Sequence, residues 1–123
     1  LGGLTLASRA EKVFEMPVAD VYVHYVAKIQ RKGQNLKNLD VVITWLTGYS
    51  ASAIKKHLDA KTSFRDFFES ATLHPNAHLI TGSICGVKIQ EIEDPLMKKI
   101  RYLDKLVDEV ANGRDMSKVL RAD

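Results

Sequence analysis

The stretch Glu91-Ile-Glu-Asp-Pro-Leu-Met-Lys-Lys-Ile-Arg-Tyr-Leu-Asp-Lys-Leu-Val-Asp-Glu-Val-Ala-Asn-Gly113 constrains the fold more than any other, because it spells a helix with both ends marked. Asp94 is placed to cap the N-terminal amides, and Pro95 fits the first helical position, where its missing N–H costs nothing. Leu96, Ile100, Leu103, Val107 and Val110 recur at steps of three and four and build one apolar stripe. Gly113 stands where a left-handed C-terminal residue is wanted. A helix from about residue 95 to 112 with such a stripe must lie against a core. Its other side offers Lys105 and Glu109 at a spacing for local pairing. Tyr102 and Leu106 lie off the stripe, where they either widen the buried face or present a surface to a partner subunit.

The rest of the chain repeats this grammar in shorter units. Pro17 opens a helix with Val18, Tyr22, Tyr25, Val26 and Ile29 on one face, a basic last turn and Gly33 as terminator. Asn35 is placed to cap a second helix with the stripe Leu39, Val42, Ile43 and Leu46, closing at Gly48. Ser50 caps a third through Ala51, Ile54 and Leu58. Ser63 and Asp66 form an approximate capping box ahead of Phe64, Phe67 and Phe68, which should be core. Asp115 starts a short terminal helix through Met116, Val119 and Leu120. Residues 72–93 fit this pattern least. His74-Pro75 resembles a helix entry, Val87-Lys88-Ile89-Gln90 alternates like a strand, and Lys12 to Glu15 is the natural segment to pair with it. The expectation is a mainly α fold: a single compact bundle-like domain of five or six helices, with room for one short two-stranded β pairing. Residues 1–12 read as an N-terminal extension or a remnant of expression, and residues 13–123 as the helical domain.

Composition narrows the function classes. With 46% apolar and 27% charged residues, the chain has the balance of a soluble globular protein, and no apolar run approaches the roughly 20 residues that span a bilayer. Cys85 is the only cysteine, so no intramolecular disulfide is available, which suits a reducing cytoplasm. The net charge of +3 falls far short of the basic excess of an obligate nucleic-acid binder.

Trp45-Leu-Thr-Gly-Tyr49, Leu79-Ile-Thr-Gly82, Ile84-Cys-Gly86 and Glu91-Ile-Glu-Asp-Pro-Leu-Met97, followed by Ile100-Arg-Tyr-Leu-Asp-Lys-Leu106, occur in this order along the chain. Together they resemble the small, mostly bacterial family labelled domain of unknown function 2200, from about Val13 to Arg121. That resemblance implies no activity, cofactor or catalytic residue, because the family is itself uncharacterised.

Several constellations invite chemistry. His74 and His78, four apart, together with Cys85 are candidates for a catalytic pocket with an acid, and the histidine spacing also suits zinc. Pro75 between the histidines opposes a shared helical face, so no metal is expected. Thr81-Gly-Ser83 has the small residues of an anion cradle but lacks the lysine and spacing of a P-loop, and no cofactor is expected. Glu91, Glu93 and Asp94 read as a helix start rather than a cation site. Trp45 and Tyr49, on either side of Gly48, read as packing across a helix end. Ser52, Lys55 and Lys56 on the second of two helices joined by a Gly-containing turn would serve a nucleic-acid-binding helix-turn-helix. None of these patterns exceeds what ordinary structure explains. The favoured function is a non-catalytic cytoplasmic protein-interaction or self-associating module. A nucleic-acid-binding protein is the first alternative and a small enzyme using a His/Cys/acid pocket the second. Tyr102 and Leu106 are the candidate partner surface, and no membrane association is expected.

Overall fold

A computed structural model describes residues 6–121, with side chains from Ala10 onward. Seven helices follow one another: α1 (Leu6–Glu15), α2 (Val18–Arg31), α3 (Lys37–Thr47), α4 (Ala51–Asp59), α5 (Phe64–Glu69), α6 (Pro95–Ala111) and α7 (Met116–Val119). Between α5 and α6 lie a 3₁₀ turn at Ala77–Leu79, the strands β1 (Ser83–Ile84) and β2 (Val87–Lys88), and a second 3₁₀ turn at Ile89–Glu91. The mainly helical fold with one short β pairing is therefore as the residues predict, with α2 to α7 matching the expected helices and α1 added to them.

The caps are those written in the sequence. The Asp94 side chain accepts the Met97 amide at 2.9 Å, Ser50 accepts that of Ala53 at 3.1 Å, and Ser63 accepts that of Asp66 at 3.2 Å. Asn35 acts one residue before the N-cap Leu36, its side chain accepting the Lys37 amide at 2.9 Å. At the far end of α6, the Gly113 amide donates to Val110 and the Arg114 amide to Glu109, both at 3.0 Å. This is a complete Schellman closure, and it requires the positive φ of 77° that Gly113 adopts.

The expected strand at Lys12–Glu15 is instead the last turn of α1. Burial of Phe14, with Ala10 and Val13 packed against the core, follows helical rather than alternating spacing. Pro17 ends the helix, since the residue before a proline is disfavoured in helical conformation. Arg65 fastens α1 to α5 by pairing with Glu15 at 2.7 Å and lying over the Phe14 ring. The partner of β2 is its own neighbour: Ser83 pairs with Lys88 and Ile84 with Val87, antiparallel. Cys85 (φ 54°) and Gly86 (φ 78°) are both left-handed, as a two-residue type I′ hairpin turn demands. The first five residues of the expected N-terminal extension lie outside the described residues.

Backbone hydrogen bonds join segments distant in sequence. The Val18 amide donates to Thr62 at 2.8 Å and that of Phe64 to Met16 at 3.0 Å, which ties the starts of α2 and α5 together. The amides of Thr72 and His74 satisfy the last carbonyls of α3, those of Thr47 and Leu46, at 2.9 and 3.0 Å. Those carbonyls would otherwise have no partner within the helix.

Helix α6 is the centre of the molecule. It is contacted by α1, α2, α3, α5, α7, β1 and the second 3₁₀ turn. Its buried face is accordingly wider than one stripe. Tyr102 and Leu106 are 6% and 0% exposed, and Glu109, one turn further along the same flank, is 6% exposed. The Lys105–Glu109 pairing expected from spacing does not form. Lys105 donates instead to the Ser83 carbonyl at 3.3 Å, and Glu109 is held by Arg121 and Arg114, each with a contact of 2.7 Å. Arg121 also donates to the Val119 carbonyl, and its own carbonyl accepts from the Asn76 side chain at 3.1 Å. One buried carboxylate thus anchors the C-terminal segment.

On the opposite flank, α2 is pinned by its tyrosines and a lysine. Tyr22 donates to Asp40 of α3 at 2.9 Å, Tyr25 to Asp104 of α6 at 2.5 Å, and Lys28 to Asp108 of α6 at 2.9 Å. Burial, then the Asp40 hydrogen bond and charge, push the Tyr22 phenol up to about 12. Burial followed by the charge of Asp104 holds Tyr25 well above the ordinary tyrosine value, with Arg101 opposing, and burial also raises Tyr49 and Tyr102.

Three outcomes follow from these contacts. The folded state favours the neutral phenols relative to an unfolded tyrosine that titrates near 10. This contribution is complete below about pH 10 and is lost as pH rises toward the folded values, so stability should fall above pH 10. Absorbance of tyrosinate at 295 nm should stay low at pH 10 and rise together with loss of helical circular dichroism. Asp94→Ala should cost about 1 kcal/mol in urea denaturation. Glu109→Ala, which leaves Arg121 without its carboxylate, should cost about 3 kcal/mol, and Arg121→Ala more than Arg114→Ala.

Candidate functional site

The hairpin lies on α6 beside α2, and the three elements enclose a cavity of about 220 Å³. Helix α2 contributes His24, Tyr25 and Lys28, α6 contributes Asp104 and Val107, and the hairpin contributes Ile84 and Cys85. Spacing places these groups: 25 and 28 are one helical turn apart, as are 104 and 107, so each pair faces the seam between the two helices. The type I′ turn holds Cys85 at the hairpin tip with its side chain exposed. The walls are largely apolar, formed by Ile84, Val107 and the Tyr25 ring.

The charged groups here are already engaged. Asp104 accepts the Tyr25 hydroxyl on one oxygen and Arg101 at 3.0 Å on the other. Lys28 is paired with Asp108 at 2.9 Å. Nucleophilic catalysis by a thiol needs a base that a third group orients. Asp104, the acid lining this cavity, has one oxygen committed to Tyr25 of α2 and the other to Arg101 of its own helix. The arrangement is therefore suited to receiving a small apolar group, with an imidazole and a thiol at its edge.

The sequence candidates His74, His78 and Cys85 do not come together in this cavity. His74 stacks on Trp45 with ring centroids 4.1 Å apart, and its Nδ1 accepts the Asn76 amide at 3.0 Å. His78 Nδ1 lies 2.9 Å from the Pro75 carbonyl oxygen. The expected helix entry at His74-Pro75 is instead an extended segment bound to the end of α3, followed by a turn, so the two imidazoles share no helical face. Among the described residues, no group of three or more His, Cys, Asp or Glu side chains could hold a metal ion. Asp40 and Asp104 accept the hydroxyls of Tyr22 and Tyr25.

Ser52, Lys55 and Lys56 of α4 are exposed. Lys55 is paired with Asp59 at 2.8 Å, and the Ser52 hydroxyl lies 3.2 Å from that of Ser50. His57 belongs to an aromatic cluster with Tyr49 and Phe67 and contacts Thr62 at 3.0 Å. The aromatic residues flanking Gly48 are packing residues, since Tyr49 donates its hydroxyl to the Phe67 carbonyl at 2.7 Å and Trp45 covers His74. Tyr102 and Leu106 are core residues and offer no partner surface, because α6 is enclosed on that flank as well.

Sequence reading missed His24, Lys28 and Asp104 as neighbours of Cys85. One local signal was available: Cys-Gly between Ile84 and Val87 occupies the two-residue turn of a hairpin, which is usually filled by Asn-Gly or Asp-Gly. The positions of Tyr25 and Lys28 opposite Asp104 and Asp108 were also readable as matched spacings, but only once α2 and α6 were known to be neighbours.

Comparison with known proteins places these features in a wider group. No curated protein matches the chain. A solved structure, the crystal structure of uncharacterized protein SP1917, is similar with a TM-score of 0.84 and 42% sequence identity, covering 97% of this chain and 94% of that one. Residues 12–121 match the family described as "Uncharacterized protein conserved in bacteria (DUF2200)". Among the described residues, no helix is long and apolar enough to cross a membrane. With the match extending over nearly the whole chain, this protein belongs to the DUF2200 family.

Proposed function

We propose that this protein is a non-catalytic interaction module of the cytoplasm, which binds a protein partner or a second copy of itself through the face formed by α2 and the β1–β2 hairpin. The observation that carries this reading is the cavity between these elements. At about 220 Å³ it is smaller than the roughly 300–1,000 Å³ typical of small-molecule sites, but a single inserted side chain can occupy it. Two apolar side chains on the elements that line it are exposed, although neither lines the cavity itself. Val23, which precedes His24 on α2, is 60% exposed, and Val87, opposite Ile84 in the hairpin, is 41% exposed. An apolar anchor seated in a pocket and surrounded by a polar rim is how small interfaces concentrate their binding energy. Commitment of Asp104, Tyr25, Lys28 and Asp108 to one another supports binding over catalysis, because binding then requires no rearrangement of charged groups. The unpaired cysteine supports residence in a reducing compartment.

Two measurements test the proposal. A photo-crosslinking residue at position 23 should give a discrete adduct in cells, either a homodimer or a single heterologous species. Val87→Asp, a substitution at an exposed position, should abolish the adduct while leaving the melting temperature within a few degrees of the parent. In the homodimer case, sedimentation equilibrium at micromolar concentrations should show a reversible dimer that Val23→Asp converts to a monomer. A strictly monomeric protein with no adduct at position 23 would overturn the reading.

A further inference from the structure

We infer that residues 31–37, from the last residue of α2 through the connecting loop to the first residue of α3, form a phosphate-binding edge that contacts the backbone of nucleic acid. Arg31, Lys32 and Lys37 lie within these seven residues, with no acidic residue among them. The chain as a whole has a net charge of +3, so this one loop accounts for all of it and the remainder is balanced. All three side chains are exposed, and among the described residues none takes part in an ion pair. The nearest carboxylate along the chain, Asp40, accepts the Tyr22 hydroxyl. On α4, Lys55 is by contrast neutralised by Asp59.

Helix stabilisation accounts for only part of the cluster. Arg31 and Lys32 stand at the C-terminal end of α2, where the helix dipole favours cations. Lys37 is the first residue of α3, the end at which a cation is disfavoured. Its charge therefore costs local stability, as expected where charge serves binding.

The loop is also held in place. The Gly33 amide donates to Gln30 at 2.9 Å and that of Gln34 to Ile29 at 3.1 Å, while Asn35 fixes the Lys37 amide at 2.9 Å. The Gln34 side chain rests against Gly113, where an added Cβ would come within 3.0 Å of its amide nitrogen. This contact brings the loop to the C-terminal end of α6 and to Arg114. There a single carboxylate, Glu109, is shared by two guanidinium groups. The exposed side chains from 31 to 37 are Arg31, Lys32, Gln34, Asn35 and Lys37, all of which carry N–H donors, and none of the exposed large apolar residues lies in this loop. A surface of preorganised cations and amides with no apolar centre suits phosphodiesters better than a protein interface, which needs an apolar core.

The decisive experiment is fluorescence anisotropy of a labelled random-sequence DNA duplex with the full chain, at low and high salt. Binding should weaken with salt, with a log–log slope between about −2 and −4, since each phosphate contact contributes about 0.9. The combined variant Arg31→Glu, Lys32→Glu, Lys37→Glu should lower affinity at least tenfold while its circular dichroism stays unchanged. The control Lys55→Glu, Lys56→Glu on α4 should bind as the parent does. Absence of salt-sensitive binding at low salt, equal binding by the loop variant, or an equal loss in the α4 control would overturn the inference. Stronger competition by poly-glutamate than by unlabelled duplex would also overturn it, in favour of an acidic protein partner.

Discussion

A helix enclosed on most of its circumference has to bury polar groups along with apolar ones, and α6 shows how this constraint shapes the rest of the protein. Ile100, Leu103, Val107 and Val110 are buried in the ordinary way, along one apolar stripe. Enclosure on the second flank then buries Tyr102, Leu106 and Glu109 as well. An isolated carboxylate at Glu109 would be costly there, and the guanidinium groups of Arg121 and Arg114 compensate it. The C-terminal segment is held to α6 by that pairing and by burial of Val119.

The other flank of α6 solves the same problem with tyrosines. Tyr25 buries its ring between the two helices and spends its hydroxyl on Asp104, while Arg101 takes the second oxygen. Lys28 and Asp108 repeat the pairing one turn along. Beside these contacts α2, α6 and the hairpin line a small cavity, whose charged groups are engaged with one another. A face built this way can receive an apolar side chain without disturbing the ionic contacts that hold the helices. The basic loop at the end of α2 is a separate feature, in which charge is left uncompensated rather than matched.

Most of the helices were legible because their signals are local. Asp94, Pro95 and Gly113 declare the ends of α6 within the segment itself, and Ser50 and Ser63 do so for α4 and α5. The failures came where pairing was non-local or ambiguous. Lys-Val-Phe-Glu at 12–15 alternates like a strand, but Phe14 is buried by α5 and α6 and the segment takes helical spacing. Lys105 and Glu109 have the spacing of a salt bridge, yet Arg121, twelve residues further on, claims the carboxylate. The cavity was not legible at all, since His24, Cys85 and Asp104 become neighbours only through the docking of three elements.

By itself the sequence determined the helical class, the boundaries of the central helix, the phenylalanine core and the absence of an intramolecular disulfide. Each of these depends on periodicity, caps or composition, which act over a few residues. Tertiary structure decided which flank of α6 is buried, which charges are matched and which residues line the cavity beside Cys85. Those outcomes depend on contacts between segments up to about 80 residues apart, such as Tyr25 with Asp104 and Lys28 with Asp108. Their identity is set by how the helices pack against one another, and no local spacing encodes it.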